Sequence, residues 1–488
     1  MMPILRVATA ALVGVTVAPG AARAADDAST AALAASIAES KRGVGTSSDG
    51  LYAIFPDTTT TGAEASELYG ELSPAETRAL ATGVFIGRTL RPAEGDPGTA
   101  SARAAARDGH ASARAGVGHA GRWVPLAIAF CVTLLLAIGI LSVPLAKTAE
   151  AKLPANFAGV TAEDVYIGAP DYQAAQFAKQ RKVGFTTIRQ VFRWNELEPA
   201  PGIYDFSVTD RFVLAAARSR VRVLPLLFGE PAWATSRAAG NTVRATFPPR
   251  DNALFARFAA AVAARYGPGG ALWKANPGVA AQPIGAYQLW NEPNLPIYWG
   301  GKVNAAAYAR LVIAGAAAIR AVQPAALIVS GGLPDSKLGV KPKKFLAAYL
   351  KAGGGPATSA VGVHPYALKV KTVVALTRTM RKTLDATKAG RKIRLWVTEL
   401  GWAAGGPPAK GRTVSKKVQA SLVSQSFRAL AKSRKRLKLE GVIYFAWRDL
   451  PPYPGRTDFW GLRTGLLTHA GKDKPAVKAL TKTIKGLR

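Results

Sequence analysis

Two stretches decide how this chain folds: Gln288-Leu289-Trp290-Asn291-Glu292-Pro293-Asn294 and Leu395-Trp396-Val397-Thr398-Glu399-Leu400-Gly401-Trp402. Each is a short apolar run of strand type that ends on a glutamate. Strand-end carboxylates so far apart in sequence converge only in a fold that gathers many strand ends on one face, and a (β/α)8 barrel does that. Two converging carboxylates are also what cleavage of a glycosidic bond requires, one as an acid and one as a nucleophile or base.

The pattern around the two stretches agrees. From Val165 onward, apolar β-rich runs alternate with Ala-rich stretches of helical character, the signature of βαβ units. Eight runs read as strands: Val165–Gly168, Thr186–Val191, Arg222–Phe228, Ile284–Trp290, Ala326–Gly331, Ala360–His364, Ile393–Thr398 and Gly441–Ala446. Asn252–Tyr266 and Ala305–Val322 are typical of the helices between them. The fold class expected is α/β, a (β/α)8 barrel over 161–488. The stretch 147–160 reads as a linker.

Trp123–Ala146 (WVPLAIAFCVTLLLAIGILSVPLA) runs for 24 residues without a charge, long enough to span a bilayer core of roughly 30 Å. Arg103, Arg107, Arg114 and Arg122 precede it. The positive-inside rule then puts the barrel outside the cytoplasm on a single-pass anchor, or secreted if the segment is cleaved as a signal. Residues 1–122 carry a second signal-like run at Leu5–Ala24 and an Ala/Gly/Arg-rich low-complexity tract at Gly95–Gly121.

The net charge is +34. Residues 151–488 hold 52 Lys and Arg against 17 Asp and Glu, whereas residues 1–150 hold 12 against 13. Such a field favours anionic partners, among them an acidic wall polymer or anionic lipid. No nucleic-acid motif accompanies it, so no nucleic-acid partner is expected. Cys131 is the single cysteine, which excludes an intrachain disulfide and a thiolate metal site. His110, His119, His364 and His469 lack metal-ligand spacing, so neither a metal nor a cofactor is expected.

The strand ends carry a coherent set of side chains. A leaving sugar oxygen needs a proton and an anomeric carbon needs an anion, so Glu292 and Glu399 need opposite protonation states. Arg189 is placed to hold one of them ionised and Tyr366 to hydrogen-bond it. Asn291 suits a sugar hydroxyl, and Trp233 and Trp447 offer flat apolar faces to a pyranose ring. His364 ends the sixth strand beside Tyr366. Trp290, Trp396 and Trp402 read as packing residues, and Glu196, Glu198 and Glu230 as loop carboxylates.

With Asn-Glu after the fourth strand and Glu after the seventh, the chain resembles clan A of the glycoside hydrolases, retaining enzymes on (β/α)8 barrels. Phe192-Arg193-Trp194-Asn195-Glu196-Leu197-Glu198-Pro199 with Gly202-Ile203-Tyr204-Asp205-Phe206 is similar to clan members. Trp290–Leu295 and Pro231–Trp233 resemble family 39, the β-xylosidase and α-iduronidase type, while the overall layout resembles family 5, the cellulase type. The chain departs from family 5 at the end of the third strand, where Gly229-Glu230-Pro231 stands in place of a histidine.

The resemblance covers roughly residues 165–467. It implies Glu292 as acid/base and Glu399 as nucleophile. Arg189, Asn291, His364, Tyr366 and Trp447 take the clan's substrate-site positions, with Trp233 beside them. The partner implied is a carbohydrate. Two other readings of the sequence are a carbohydrate-binding barrel without catalysis and a basic wall- or membrane-associated scaffold.

Overall fold

A computed structural model describes residues 152–243, 245–405, 413–450 and 460–488. The N-terminal region 1–122 and the apolar segment 123–146 lie outside the described residues.

Eight parallel strands close on themselves. In ring order they are β1 (Ala158–Thr161), β2 (Thr187–Arg193), β3 (Arg222–Phe228), β4 (Ala286–Leu289), β5 (Leu327–Ser330), β7 (Ala360–His364), β8 (Arg394–Val397) and β11 (Leu439–Tyr444). β11 pairs back onto β1 through Ala158 opposite Val442, and β5 reaches β7 through Val329 opposite Ala360. The short β6 (Leu333–Pro334) adds to β7 at the C-terminal rim, and β9 (Ala403–Ala404) pairs with β10 (Thr413–Val414) in a loop. The architecture is the (β/α)8 barrel expected.

One strand is displaced from its expected place. Val165–Gly168 is not β1; Glu163–Ile167 forms a short helix, α1, whose Tyr166 packs edge-on against Phe212 at 5.4 Å. The true first strand, Ala158-Gly159-Val160-Thr161, lies partly in the stretch read as linker. Its residues are small because its neighbours press close. A Cβ at Gly159 would come within 2.5 Å of Ile443 Cδ1 and 2.7 Å of Thr187 O. So short a run of small residues carries little apolar signal, and the more apolar Val165-Tyr166-Ile167 outweighs it.

The helices pack outside. α2 (Pro170–Val183), α4 (Ser207–Arg218), α5 (Asn252–Tyr266), α7 (Ala305–Val322), α8 (Pro342–Lys351), α9 (Val370–Asp385), α10 (Lys416–Leu437) and α11 (Pro475–Gly486) bury one face each against the strands or their neighbours. Asp251, Asn304 and Ser415 cap α5, α7 and α10 by accepting from Ala253, Ala307 and Val418 backbone N–H groups, which satisfies donors that a helix start leaves open. Among the described residues α7 is the one helix long and apolar enough to cross a membrane. It instead packs along α5, burying Tyr308, Leu311, Val312 and Ile319.

Inside the ring, Leu224, Val329, Ala360, Trp396 and Ile443 form a separate apolar cluster toward the N-terminal end. The buried polar residues Arg189, Gln288, His364, Thr398, Glu292 and Glu399 come from the strands and strand ends of the same ring, a charged centre within an otherwise apolar barrel.

Candidate active site

Arg189 stands at the middle of that centre, 1% exposed. Its guanidinium spreads donors over three strands: Nε to Gln288 Oε1 (2.6 Å), Nη1 to Glu399 Oε1 (2.7 Å) and Nη2 to Asn291 Oδ1 (3.0 Å). A buried guanidinium needs each of these partners, because an unpaired charge there costs several kcal/mol. Glu399 also accepts from Tyr366 OH at 2.8 Å on its other oxygen. Glu292 Oε1 lies 2.6 Å from His364 Nδ1, and His364 Nε2 lies 3.1 Å from Thr398 Oγ1 and 3.5 Å from Glu399 Oε1. One oxygen of each glutamate and one ring nitrogen of His364 all fall within 4.8 Å of one another.

Local structure fixes these positions. The chain leaves β4 through two residues in left-handed conformation, Trp290 (φ 71°) and Glu292 (φ 39°). Such conformations cost about 1–3 kcal/mol each for residues other than glycine. Trp290 holds the turn: its indole N–H donates to Tyr298 O at 2.6 Å, and its ring meets Phe228 at 5.1 Å, Trp299 at 5.6 Å and Phe255 at 6.0 Å. His364 has room only because residue 332 is glycine. A Cβ there would lie 1.9 Å from His364 Nε2.

Burial sets the electrostatics. It raises the Glu292 pKa well above the usual carboxylate value, and the charge of Glu399 raises it further, against a smaller opposing pull from Arg189. Burial also raises Glu399, but Arg189 and the Tyr366 hydroxyl counter it directly. Of the two, Glu399 has the stronger pull back toward the ionised form. Burial, with Arg189 nearby, drives His364 well below its ordinary value, so its ring is neutral.

Glu292, His364 and Glu399 also have the proximity of a metal triad, which sequence spacing could not disclose because three strands supply it. The guanidinium 2.7 Å from Glu399 Oε1 argues against that use, since it already neutralises the carboxylate and would repel a dication.

Six of the eight residues singled out in the sequence therefore meet in one network: Glu292, Glu399, Arg189, Asn291, His364 and Tyr366. Trp447 does not. Its indole N–H donates to Gln176 of α2 at 2.9 Å, its ring packs edge-on to Phe185 at 6.4 Å, and it is fully buried. It fills the layer between barrel and helix rather than the site. β11 ends at Tyr444, which donates to Thr464 O, so Trp447 lies three residues beyond the strand, where strand alternation does not set its direction. Trp233 is half-buried in the loop after β3, edge-on to Trp194 at 5.7 Å, with its N–H on Glu198 O. It keeps a rim position.

Sequence reading missed four contributors. Gln288 and Thr398 sit inside the two quoted stretches and carry the hydrogen bonds behind Arg189 and His364. Gly332 makes the space for the imidazole. Trp460, half-buried, stands edge-on to Tyr366 at 5.4 Å, in a segment with no periodicity to mark it. The carboxylates read as loop residues do serve loops. Glu198 accepts from Trp194 Nε1 (2.6 Å) and Gly202 N (2.8 Å), and Glu230 accepts from Phe247 N at 2.7 Å.

No family model matches the chain, and no curated protein does. Among solved structures it is similar to a glucosidase from Croceicoccus marinus, at TM-score 0.52 and 13% identity over 68% of this chain and 66% of that one. It is similar also to a family 39 glycoside hydrolase from Bacteroides cellulosilyticus WH2 (TM-score 0.49, 20% identity, 69% of this chain) and to a monomeric β-xylosidase from Caulobacter crescentus CB15 (0.49, 20%, 67% of each). The chain spans 64% of the length of the family 39 protein. These neighbours are glycoside hydrolases, the class that the strand-end motifs resemble. At such identities what is shared is the barrel fold.

Proposed function

We propose that this protein is a retaining glycoside hydrolase in which Glu399 is the nucleophile and Glu292 the acid/base. The observation that carries the proposal is the pair itself: carboxylate oxygens within 4.8 Å across the barrel mouth, one ion-paired to Arg189 and the other not. Retaining enzymes hold their two carboxyl groups about 5–5.5 Å apart, and inverting enzymes leave a wider gap for water.

The steps follow from the contacts. Glu399, ionised beside Arg189, attacks the anomeric carbon while Glu292 gives its proton to the departing glycosidic oxygen. The C–O bond to the leaving group breaks as the bond to Glu399 forms. Water then attacks the glycosyl-enzyme, Glu292 takes its proton, and Glu399 is released with configuration retained. The Thr398 hydroxyl accepts from Gln288 Nε2 (3.4 Å), which leaves its hydrogen for His364 Nε2. The imidazole then presents Nδ1–H to Glu292 Oε1 and leaves Oε2 to carry the catalytic proton. Asn291, held by Arg189, is the group nearest in sequence to the acid that can reach a sugar hydroxyl.

The substrate class is an O-linked carbohydrate. Glycoside hydrolysis by this barrel is placed outside the cytoplasm, on the strength of the uncharged segment 123–146 and the arginines before it. The deciding experiment is hydrolysis of aryl glycosides of varied sugar, with the anomeric configuration of the first product followed by proton NMR. Release with retention supports the proposal, and inversion contradicts it.

A further inference from the structure

The aromatic face expected after the last strand is not supplied by Trp447, whose indole turns to Gln176 of α2. A second tryptophan stands nearer the nucleophile. Trp460 opens a 3₁₀ turn, Trp460–Arg463, and is half-buried, so part of its surface stays open to solvent. Its ring meets Tyr366 edge-on at 5.4 Å, and the Tyr366 hydroxyl donates to Glu399 Oε2 at 2.8 Å. Tyr366 follows β7 and Trp460 follows β11. Between those strands in the ring lies β8, with Glu399 just past its end. The two aromatic rings therefore meet across the strand end that carries the nucleophile.

The turn is fastened along its length. Leu450 N donates to Leu462 O at 2.9 Å, Tyr444 OH to Thr464 O at 2.8 Å and Gly465 N to Asp449 Oδ1 at 2.9 Å. Gly401, just past Glu399, lets this segment come close: a Cβ there would lie 3.3 Å from Thr464 Cβ. One buried cation then joins the turn to the nucleophile's loop. Lys474 Nζ donates to Asp449 Oδ1 (2.7 Å), Ala404 O (3.0 Å) and Arg463 O (3.2 Å), which uses all three donors of an ammonium. Ala404 lies on the loop that leaves Glu399, and Arg463 ends the turn that Trp460 begins.

We propose that Trp460 is the apolar platform for the sugar whose anomeric carbon Glu399 attacks, with Lys474 as the residue that positions it. A fixed indole offers a pyranose a large apolar face without a mobile side chain to be ordered on binding. Lys474 touches no substrate; it acts by holding Arg463 and Ala404 together. The inference rests on the hydrolase reading above.

The test measures kcat and KM of the full chain on 4-nitrophenyl glycosides of xylose, glucose, galactose and mannose, at a temperature where circular dichroism shows every variant folded. Trp460→Ala is expected to raise KM about tenfold on the glycoside turned over fastest, and to lower kcat far less. Trp460→Phe keeps an aromatic face and is expected to recover part of the loss. Lys474→Met breaks the tie and leaves Asp449 buried without its cation, so KM is expected to rise and Tm to fall. Adding Asp449→Leu removes that stranded charge and is expected to bring Tm back, since apolar groups can replace a buried ion pair. KM is expected to stay raised, because Arg463 and Ala404 remain untied. KM unchanged in Trp460→Ala overturns the platform, and KM that recovers together with Tm overturns the positioning role. Calorimetry of the four methyl glycosides on Glu399→Gln, with and without Trp460→Ala, isolates the sugar from the aryl group. Binding weakened by Trp460→Ala is expected; binding untouched there, with KM raised only on the aryl substrates, assigns Trp460 to the leaving group and overturns the proposal. Sugar binding that needs Trp460 in a chain without turnover fails the hydrolase reading alone, whereas turnover indifferent to Trp460 fails the platform alone.

Discussion

The C-terminal and N-terminal faces of this barrel handle charge in opposite ways. At the C-terminal face Arg189, Glu292, Glu399 and His364 are buried, and each has a partner within 2.7 Å. At the N-terminal face Lys392, Lys435 and Lys438 are exposed, and acidic groups there are few. Buried charges are felt strongly and positioned tightly because little solvent screens them; exposed charges are individually weak and act as a field. The two faces should therefore respond very differently to substitution.

The largest effect belongs to the carboxylate with the ion pair. Glu399→Gln is expected to lower kcat on the order of 10⁴-fold or more, since no nucleophile remains. Glu292→Ala comes next, at about 10²–10⁴-fold on substrates with poor leaving groups and far less on aryl glycosides with good ones. A Brønsted series of leaving groups measured on both variants would show that dependence only for Glu292.

Tyr366→Phe removes one hydrogen bond to a charged oxygen, worth roughly 1.5–3 kcal/mol. The sign is fixed by which form the hydroxyl favours. Tyr366 stabilises ionised Glu399, so its loss raises the Glu399 pKa, and the acid limb of the kcat/KM profile moves to higher pH. The alkaline limb, set by Glu292, should stay in place. A profile that shifts on the alkaline side instead would reverse the assignment of roles. Gly332→Ala tests the geometry of the same face. It leaves every charge in place yet displaces His364, so kcat should fall while the circular dichroism spectrum does not change. The smallest effect is expected across the barrel: Lys392→Glu with Arg434→Glu should leave kcat and KM for a neutral aryl glycoside unchanged.

The two faces also differ in how legible they are in sequence. The strand-end residues could be read because chemistry narrows them to few types and the barrel places them at predictable points; β3 and β7 have the bounds the sequence suggests. The network behind them could not. Gln288, Thr398 and Gly332 act through contacts between separate strands, and nothing local marks them. Trp447 misled for a related reason. An aromatic after the last strand suggests a sugar platform, but Trp447 lies beyond the end of β11, where no strand register fixes its direction, and its indole turns to Gln176 of α2. β1 was misplaced because tight packing against Ile443 and Thr187 demands small residues that give little apolar signal. The basic N-terminal face was visible only as net charge; its concentration on one side required the fold.

The most direct test of the central claim is mass spectrometry of the full chain trapped with a 2-deoxy-2-fluoro aryl glycoside of the sugar it hydrolyses. A single added glycosyl mass that maps to Glu399, and is absent in Glu399→Gln, is the expected result. Turnover without a covalent intermediate, or label on Glu292, would contradict the account.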